Sequence, residues 1–192
     1  RFVTVERGDL ESVVSTTGTL DAVTTVKVGT QVSGRIAEIH VDFNDRVEKG
    51  QVIARIDSTL LEIAVREAQA NLERLEAQLR QAERDYKRSS DLFQEQVLAE
   101  ADFDQTKYAL DVARASVKAV RVDLEKAQQD LAYATITAPI AGTIVERGVD
   151  VGQTVAASFS APQLFEIAGD LSRMRILASV DESDIGQIEE GQ

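Results

Sequence analysis

The 192 residues contain no cysteine and no tryptophan, one methionine, one histidine and two prolines. Without cysteine there is no thiol nucleophile, no thiolate metal ligand and no disulfide, so the chain tolerates an oxidising compartment. A single histidine, His40, and a lone methionine, Met174, leave soft-metal binding without a ligand set. Basic residues are also in short supply. Against 33 Asp and Glu stand 21 Lys and Arg, for a formal charge of −12, which disfavours nucleic acid and anionic lipid as partners. No run of 18 apolar residues occurs, so no membrane span is read from the chain. It opens at Arg1 with neither a methionine nor an apolar leader, and is read either as soluble throughout or as relieved of a leader and anchor. No nucleophile–base pattern or phosphate loop is present, and the expectation is a non-enzyme without a cofactor.

What is there is a duplication. At a constant offset of 108, Gly34 pairs with Gly142, Ile36 with Ile144, Glu38 with Glu146, Val41 with Val149, Asp42 with Asp150 and Val47 with Val155. With three extra residues in the second copy, Ile53-Ala54-Arg55-Ile56 then aligns with Leu164-Phe165-Glu166-Ile167. Each copy alternates apolar and polar residues with period two, the mark of a half-buried strand. Gly34, Gly50, Gly142, Gly148 and Gly152 mark turns or close crossings. One such half cannot bury its own apolar face, so the two are expected to interlock into a single small sandwich.

Between the copies the period changes to about three and a half. Leu61, Val65, Ala68, Leu72, Leu75, Leu79, Ala82, Tyr86, Ser89 and Phe93 follow one another at spacings of four and three, as do Phe103, Thr106, Leu110, Ala113, Val117, Val120, Leu124, Ala127, Leu131 and Ala134. These are heptad seams. Neither segment contains Gly or Pro, and Glu, Gln, Arg, Lys and Ala fill the flanks, so propensity agrees with pattern. Thr59 and Glu62 form a capping-box signature. Two rods of roughly 55 Å are expected to face each other, antiparallel, across a bend near residues 94–99. Thr135-Ile136-Thr137-Ala138-Pro139 ends the second rod.

These residues resemble a known family. Val28-Gly29-Thr30-Gln31-Val32-Ser33-Gly34, the Ala138-Pro139-Ile140-Ala141-Gly142 restart, Gly152-Gln153-Thr154-Val155 and Ala178-Ser179-Val180-Asp181-Glu182-Ser183-Asp184-Ile185 look like the periplasmic adaptors, or membrane fusion proteins, of bacterial tripartite efflux pumps. They are most similar to the MacA type, which works with an ABC transporter. The likeness covers essentially all 192 residues. It implies a mixed β and α fold: a split lipoyl-like barrel-sandwich hybrid with an inserted antiparallel α-helical coiled-coil hairpin and a partial β-barrel domain. Residues 1–19 would begin the membrane-proximal barrel region, 20–57 and 138–168 form the lipoyl-like domain, 58–137 the hairpin, and 169–192 re-enter the barrel, with hinges at Gly18 and at Gly169-Asp170.

The resemblance further implies a periplasmic protein, anchored to the inner membrane in its full-length form and assembled as a homo-oligomer, trimer or hexamer. Its partners would be an inner-membrane transporter, ABC and MacB-like or alternatively RND, and a TolC-like outer-membrane channel met by the hairpin tip. The family's tip pattern is Arg, then Leu four residues on, then Ser seven further. Arg88 and Leu92 match, while Ala99 stands at the serine position. The implied channel contacts are Arg88, Leu92, Gln94, Glu95, Gln96, Val97 and Leu98. In the MacA type the loop after Val155 lines the channel with glutamine, and here Ser158, Phe159 and Ser160 stand in that loop.

Plainer readings compete at each point. His40 reads as a strand-surface residue, Asp181, Glu182 and Asp184 as a solvated turn, Phe159 as an ordinary loop aromatic, and Lys49 as part of a structural turn. Where a lipoyl or biotinyl carrier has its modified lysine, the alignment puts Leu60, which offers a cofactor nothing to attach to. An RND or HlyD-type adaptor, that carrier, and a purely structural coiled-coil protein are the alternatives.

Overall fold

The computed structural model describes residues 16–157, 163–170, 173–180, 186 and 191. Residues 2–5 and 12–15, read from the sequence as strands, lie outside them, as do the 158–160 loop and the acidic turn at 181–184. In chain order the elements are β1 (Thr17–Ala22), β2 (Thr25–Val28), β3 (Gly34–Ile39), β4 (Arg46–Val47), β5 (Val52–Ile56), α1 (Thr59–Gln94), α2 (Glu100–Tyr133), β6 (Thr135–Thr137), β7 (Gly142–Arg147), β8 (Thr154–Val155), β9 (Phe165–Ala168) and β10 (Met174–Ser179).

The duplicated halves fold onto one another by exchanging strands. One four-stranded sheet has the order β2-β9-β7-β4 and the other β6-β5-β3-β8, so each draws two strands from either half. Gly34 is in register with Val155, and Gly142 with Val47. The same cross-strand pair is therefore made twice with the halves interchanged. The repeated apolar positions fill the space between the sheets: Ile36, Ile144, Val47, Val155 and Val149 are essentially solvent-free, joined by Ile53, Leu164, Phe165 and Ile167. The glycines at 34 and 142 are explained by approach: a Cβ on Gly34 would run into the Ile56 side chain, and one on Gly142 into the Ala168 carbonyl. Packing at this density leaves no slack for an added methyl.

The two helices pack along the heptad seams. Leu72, Val117, Val120 and Leu124 are buried, with Val65, Ala68, Leu75 and Leu79 against them, in a cluster separate from the sandwich core. The antiparallel direction is fixed by Phe103 lying on Phe93 near the bend, while Arg121 reaches Glu76 farther down.

The start of α1 departs from the sequence expectation. Thr59 is not an N-cap but the first helical residue, and no Thr59–Glu62 capping box forms. Asp57, two residues upstream, accepts from both the Thr59 N–H (3.1 Å) and the Thr59 hydroxyl (2.7 Å), and the Ser58 hydroxyl donates to Glu62 (2.7 Å). A carboxylate accepting two bonds outcompetes a hydroxyl for the free N–H groups of the first turn. These donors, with Arg35 behind them, hold the Asp57 carboxyl below its ordinary titration range, the Thr59 hydroxyl contributing most.

Below the sandwich, β1 and β10 form a two-stranded antiparallel sheet running from Thr17 opposite Ser179 to Ala22 opposite Met174. Gly18 is not a link in this arrangement. It sits inside the ladder opposite Ala178, where an added Cβ would stand 2.9 Å from the Leu177 carbonyl. The crossing from the sheet to the sandwich is made at Val23 and Thr24, tied by Val23 N–H to the Arg173 carbonyl (3.1 Å) and Gly169 N–H to the Thr24 carbonyl (2.9 Å).

Candidate functional site: the far end of the helix pair

The residues matching the family's tip pattern come together at the bend. Arg88 and Leu92 are one turn apart on α1, so they share a face. The Arg88 side chain is 70% exposed and lies 3.6 Å from Asp85, and Leu92 is 36% exposed. After Gln94 the chain turns through Glu95, Gln96, Val97, Leu98 and Ala99 before α2 begins at Glu100. Gln96 has φ +60°. Its N–H bonds the Phe93 carbonyl (3.0 Å), and the Val97 N–H reaches back to the Leu92 carbonyl (3.0 Å). That pair of bonds is a Schellman C-cap built on glutamine instead of glycine. It leaves Val97 71% exposed at the apex.

Ala99 occupies the N-cap of α2 in an extended conformation, with no side-chain cap. Its carbonyl accepts from Asp102 (3.2 Å) and Phe103 (3.1 Å). A serine at this place would offer a hydroxyl to the same turn. Behind the apex Phe93 stacks on Phe103, with centroids 4.8 Å apart and planes at 9°, and Tyr86 leans on Phe103 at 5.6 Å. This aromatic plug holds the last turns of both helices together. The end is thus a stiffened bend presenting Leu92 and Val97 among hydrogen-bonding side chains, a surface suited to docking.

His40 sits just past β3 with Nε2 3.4 Å from Glu38, an exposed contact in keeping with the plain reading. Among the described residues no three His, Asp or Glu side chains are placed to hold a metal, and no buried side-chain polar atom lacks a partner. Leu60, at the carrier-lysine position, is 78% exposed on the first turn of α1. Among the described residues no helix is long and apolar enough to cross a membrane.

Sequence reasoning missed the ion cluster that clasps the two halves. Arg147 Nε bonds Asp42 (3.1 Å), while its Nη1 bonds Asp150 (2.6 Å) and the Val149 carbonyl (2.6 Å). Asp42 and Asp150 are a repeated pair in the sequence, but Arg147 has Ile39 at its counterpart position, so the offset gave no sign of it. Asp42 is held below its ordinary range, first by the Phe43 N–H and then by Arg147.

A strand-exchanged sandwich that throws out a long helix pair is a barrel-sandwich hybrid, the scaffold class of the membrane fusion proteins. The RND MFP barrel-sandwich hybrid domain matches residues 24–166, and the chain belongs to that family. It is 36% identical over 202 residues to the macrolide export protein MacA of Escherichia coli O157:H7, covering 98% of this chain and 54% of that protein. It is 32% identical over 203 residues to the pyoverdine export membrane fusion protein PvdR of Pseudomonas aeruginosa, covering 98% and 52%. The crystal structure of MacA from Actinobacillus actinomycetemcomitans superposes with a TM-score of 0.78 at 32% identity, over 100% of this chain and 64% of that one. The chain spans about half the length of the curated relatives it matches.

Proposed function

We propose that this chain belongs to a periplasmic adaptor in a tripartite efflux pump, joining an inner-membrane transporter to a TolC-like outer-membrane channel. The helix pair acts as a coiled-coil hairpin, residues 58–137, raised from a lipoyl-like domain of residues 20–57 and 138–168. The segments 1–19 and 169–192 belong to a β-barrel region. The role is mechanical: the hairpin sets a distance and its end makes a joint. The observation that supports this best is the tip, where Arg88, Leu92 and Gln94 to Leu98 share a bend closed by a C-cap and an aromatic plug.

An ABC transporter of the MacB kind is the favoured inner-membrane partner, because MacA proteins recur among the relatives and the solved structures. In its full-length form the protein would be anchored to the inner membrane and homo-oligomeric, with Ser158, Phe159 and Ser160 facing the conduit. The RND description of the matched domain supports a second reading, an adaptor for an RND pump. Affinity purification of the full-length protein from its own membranes separates the two: a permease carrying nucleotide-binding motifs is expected, and a large RND transporter in its place would move the assignment. The joint is tested with Arg88→Asp and Leu92→Asp combined. Loss of channel co-purification and of drug resistance is expected, and retention of both would refute the tip assignment.

A further inference from the structure

The seam between the two helices is not filled evenly. In the stem it is built of Leu72, Val117, Val120 and Leu124, all buried. Toward the bend the seam positions carry Ala82, Ser89 and Thr106, side chains too short to fill the same space between helix axes, and all three are only half-buried. The shortfall leaves a groove of about 540 Å³ between α1 and α2, with Leu98 of the bend at one end and Ala109 on its α2 side. The Thr106 hydroxyl donates to the Phe103 carbonyl (2.8 Å), as threonines inside helices do, and so adds no free donor to the floor.

The rim has a different character. Asp85 of α1 and Asp102 of α2 line it, and among the described residues no lysine or arginine does. Asp85 is already engaged, accepting from Gln81 Nε2 (2.9 Å) on one oxygen and lying 3.6 Å from Arg88 on the other. Asp102 is not. Its backbone N–H bonds the Ala99 carbonyl (3.2 Å), while its carboxylate has no partner among the described residues. An anion in this groove would face two carboxylates, and a neutral guest would leave Asp102 as it is. A bare metal ion would find no third ligand among the described residues. The volume falls in the range of small-molecule sites, roughly 300–1,000 Å³, and so does the make-up of an apolar trough with a few placed polar groups.

We infer that this groove binds an amphiphilic organic cation, with the apolar body lying on Ala82, Leu98 and Thr106 and the positive group meeting the Asp102 carboxylate in a charge-assisted contact. The site is a property of the helix pair and does not depend on which transporter or channel the chain serves. Asp85 ties it to the tip all the same, since the carboxylate at 3.6 Å from Arg88 is also part of the groove.

Rhodamine 6G, a flat apolar cation, is the probe, titrated into the full-length protein and followed by fluorescence anisotropy, with the neutral dye Nile red beside it. Saturable binding of rhodamine 6G is expected. Asp102→Asn, at an exposed position, is expected to weaken it about fivefold, the size of an exposed ion pair, and to leave Nile red unchanged. Ala109→Phe, also at an exposed position, fills the groove and is expected to abolish saturable rhodamine 6G binding. Asp130→Asn, on the same helix but outside the groove, is expected to change nothing. Equal weakening by Asp130→Asn and Asp102→Asn overturns the inference, because diffuse attraction to a chain of charge −12 then accounts for the dye. Rhodamine 6G binding that survives Ala109→Phe overturns it as well, and so does a parent protein without saturable binding. In that last case a change in sedimentation or in channel co-purification on Ala109→Phe would give the groove to a second copy or to the channel.

Discussion

Asn44 and Gly152 occupy the same left-handed corner in the two halves of the sandwich, with φ of +68° and +88°, and each donates its N–H across the boundary to an isoleucine of the opposite half. Asn44 reaches the Ile144 carbonyl at 2.9 Å and Gly152 the Ile36 carbonyl at 2.8 Å. The return bonds match as well, Ile144 N–H to Asp45 (2.9 Å) and Ile36 N–H to Gln153 (2.8 Å). The corner is what lets each half hand its short strand to the other's sheet.

Two glycines on the second half should therefore respond differently. Gly152→Ala meets nothing within 4 Å and costs only its backbone conformation, about 1–2 kcal/mol. Gly142→Ala drives a Cβ into the Ala168 backbone, and is expected to cost more than Gly152→Ala and to lower the yield of folded protein. Asn44→Gly should be neutral or slightly stabilising. Urea unfolding of the three variants gives the order.

The bend should be improvable. Gln96→Gly removes the left-handed cost of a side chain at the C-cap, about 1 kcal/mol. Ala99→Ser supplies the missing N-cap acceptor, also about 1 kcal/mol. Both gains are local, so hydrogen exchange of the Phe93 to Phe103 amides should slow while sandwich amides do not change.

Buried and exposed positions of α2 should separate on truncation. Leu124→Ala, in the filled seam, is expected to cost about 2–5 kcal/mol. Val122→Ala, at an exposed position, should stay within about 0.5 kcal/mol. Thermal melts of dilute samples compare them.

Acid should loosen the base of the helices. Asp57 and Asp42 titrate below their ordinary range in the folded chain, so as pH falls the unfolded chain takes up those protons first. Their contribution is complete above the unfolded value of about 4 and is lost as pH drops through the folded one. Melting temperature should hold from pH 7 to about 5 and fall below about 4. Thr59→Val removes the hydroxyl that lowers Asp57 most, and should bring the Asp57 carboxyl signal closer to ordinary titration by NMR.

Much of this architecture was legible in the sequence because it rests on periodicity. The offset pairs Ile36/Ile144 and Val47/Val155 are core in the structure, and Leu72, Leu110, Val117, Val120 and Leu124 are buried along the seams. Heptad spacing put a bend near residues 94–99, and α1 ends at Gln94 and α2 begins at Glu100, whereas Arg88 and Leu92 were singled out by the family resemblance. What periodicity does not carry was missed. Asn44 and Gly152 are different residue types doing one conformational job, so Gly152 was marked as a turn while its counterpart Asn44 was passed over. Thr59 and Glu62 have capping-box spacing, but Asp57 outcompetes them through charge.

Strand exchange also bears on how the polypeptide comes off the ribosome. β3 can pair with β5 within the first half, but β8 and β7, the second-half partners of β3 and β4, emerge only after the whole helical excursion. The excursion itself draws the ends together, for Ile56 N–H meets the Ala134 carbonyl at 2.8 Å across its base. A helix pair that forms before the sandwich thereby shortens the loop that the sandwich has to close.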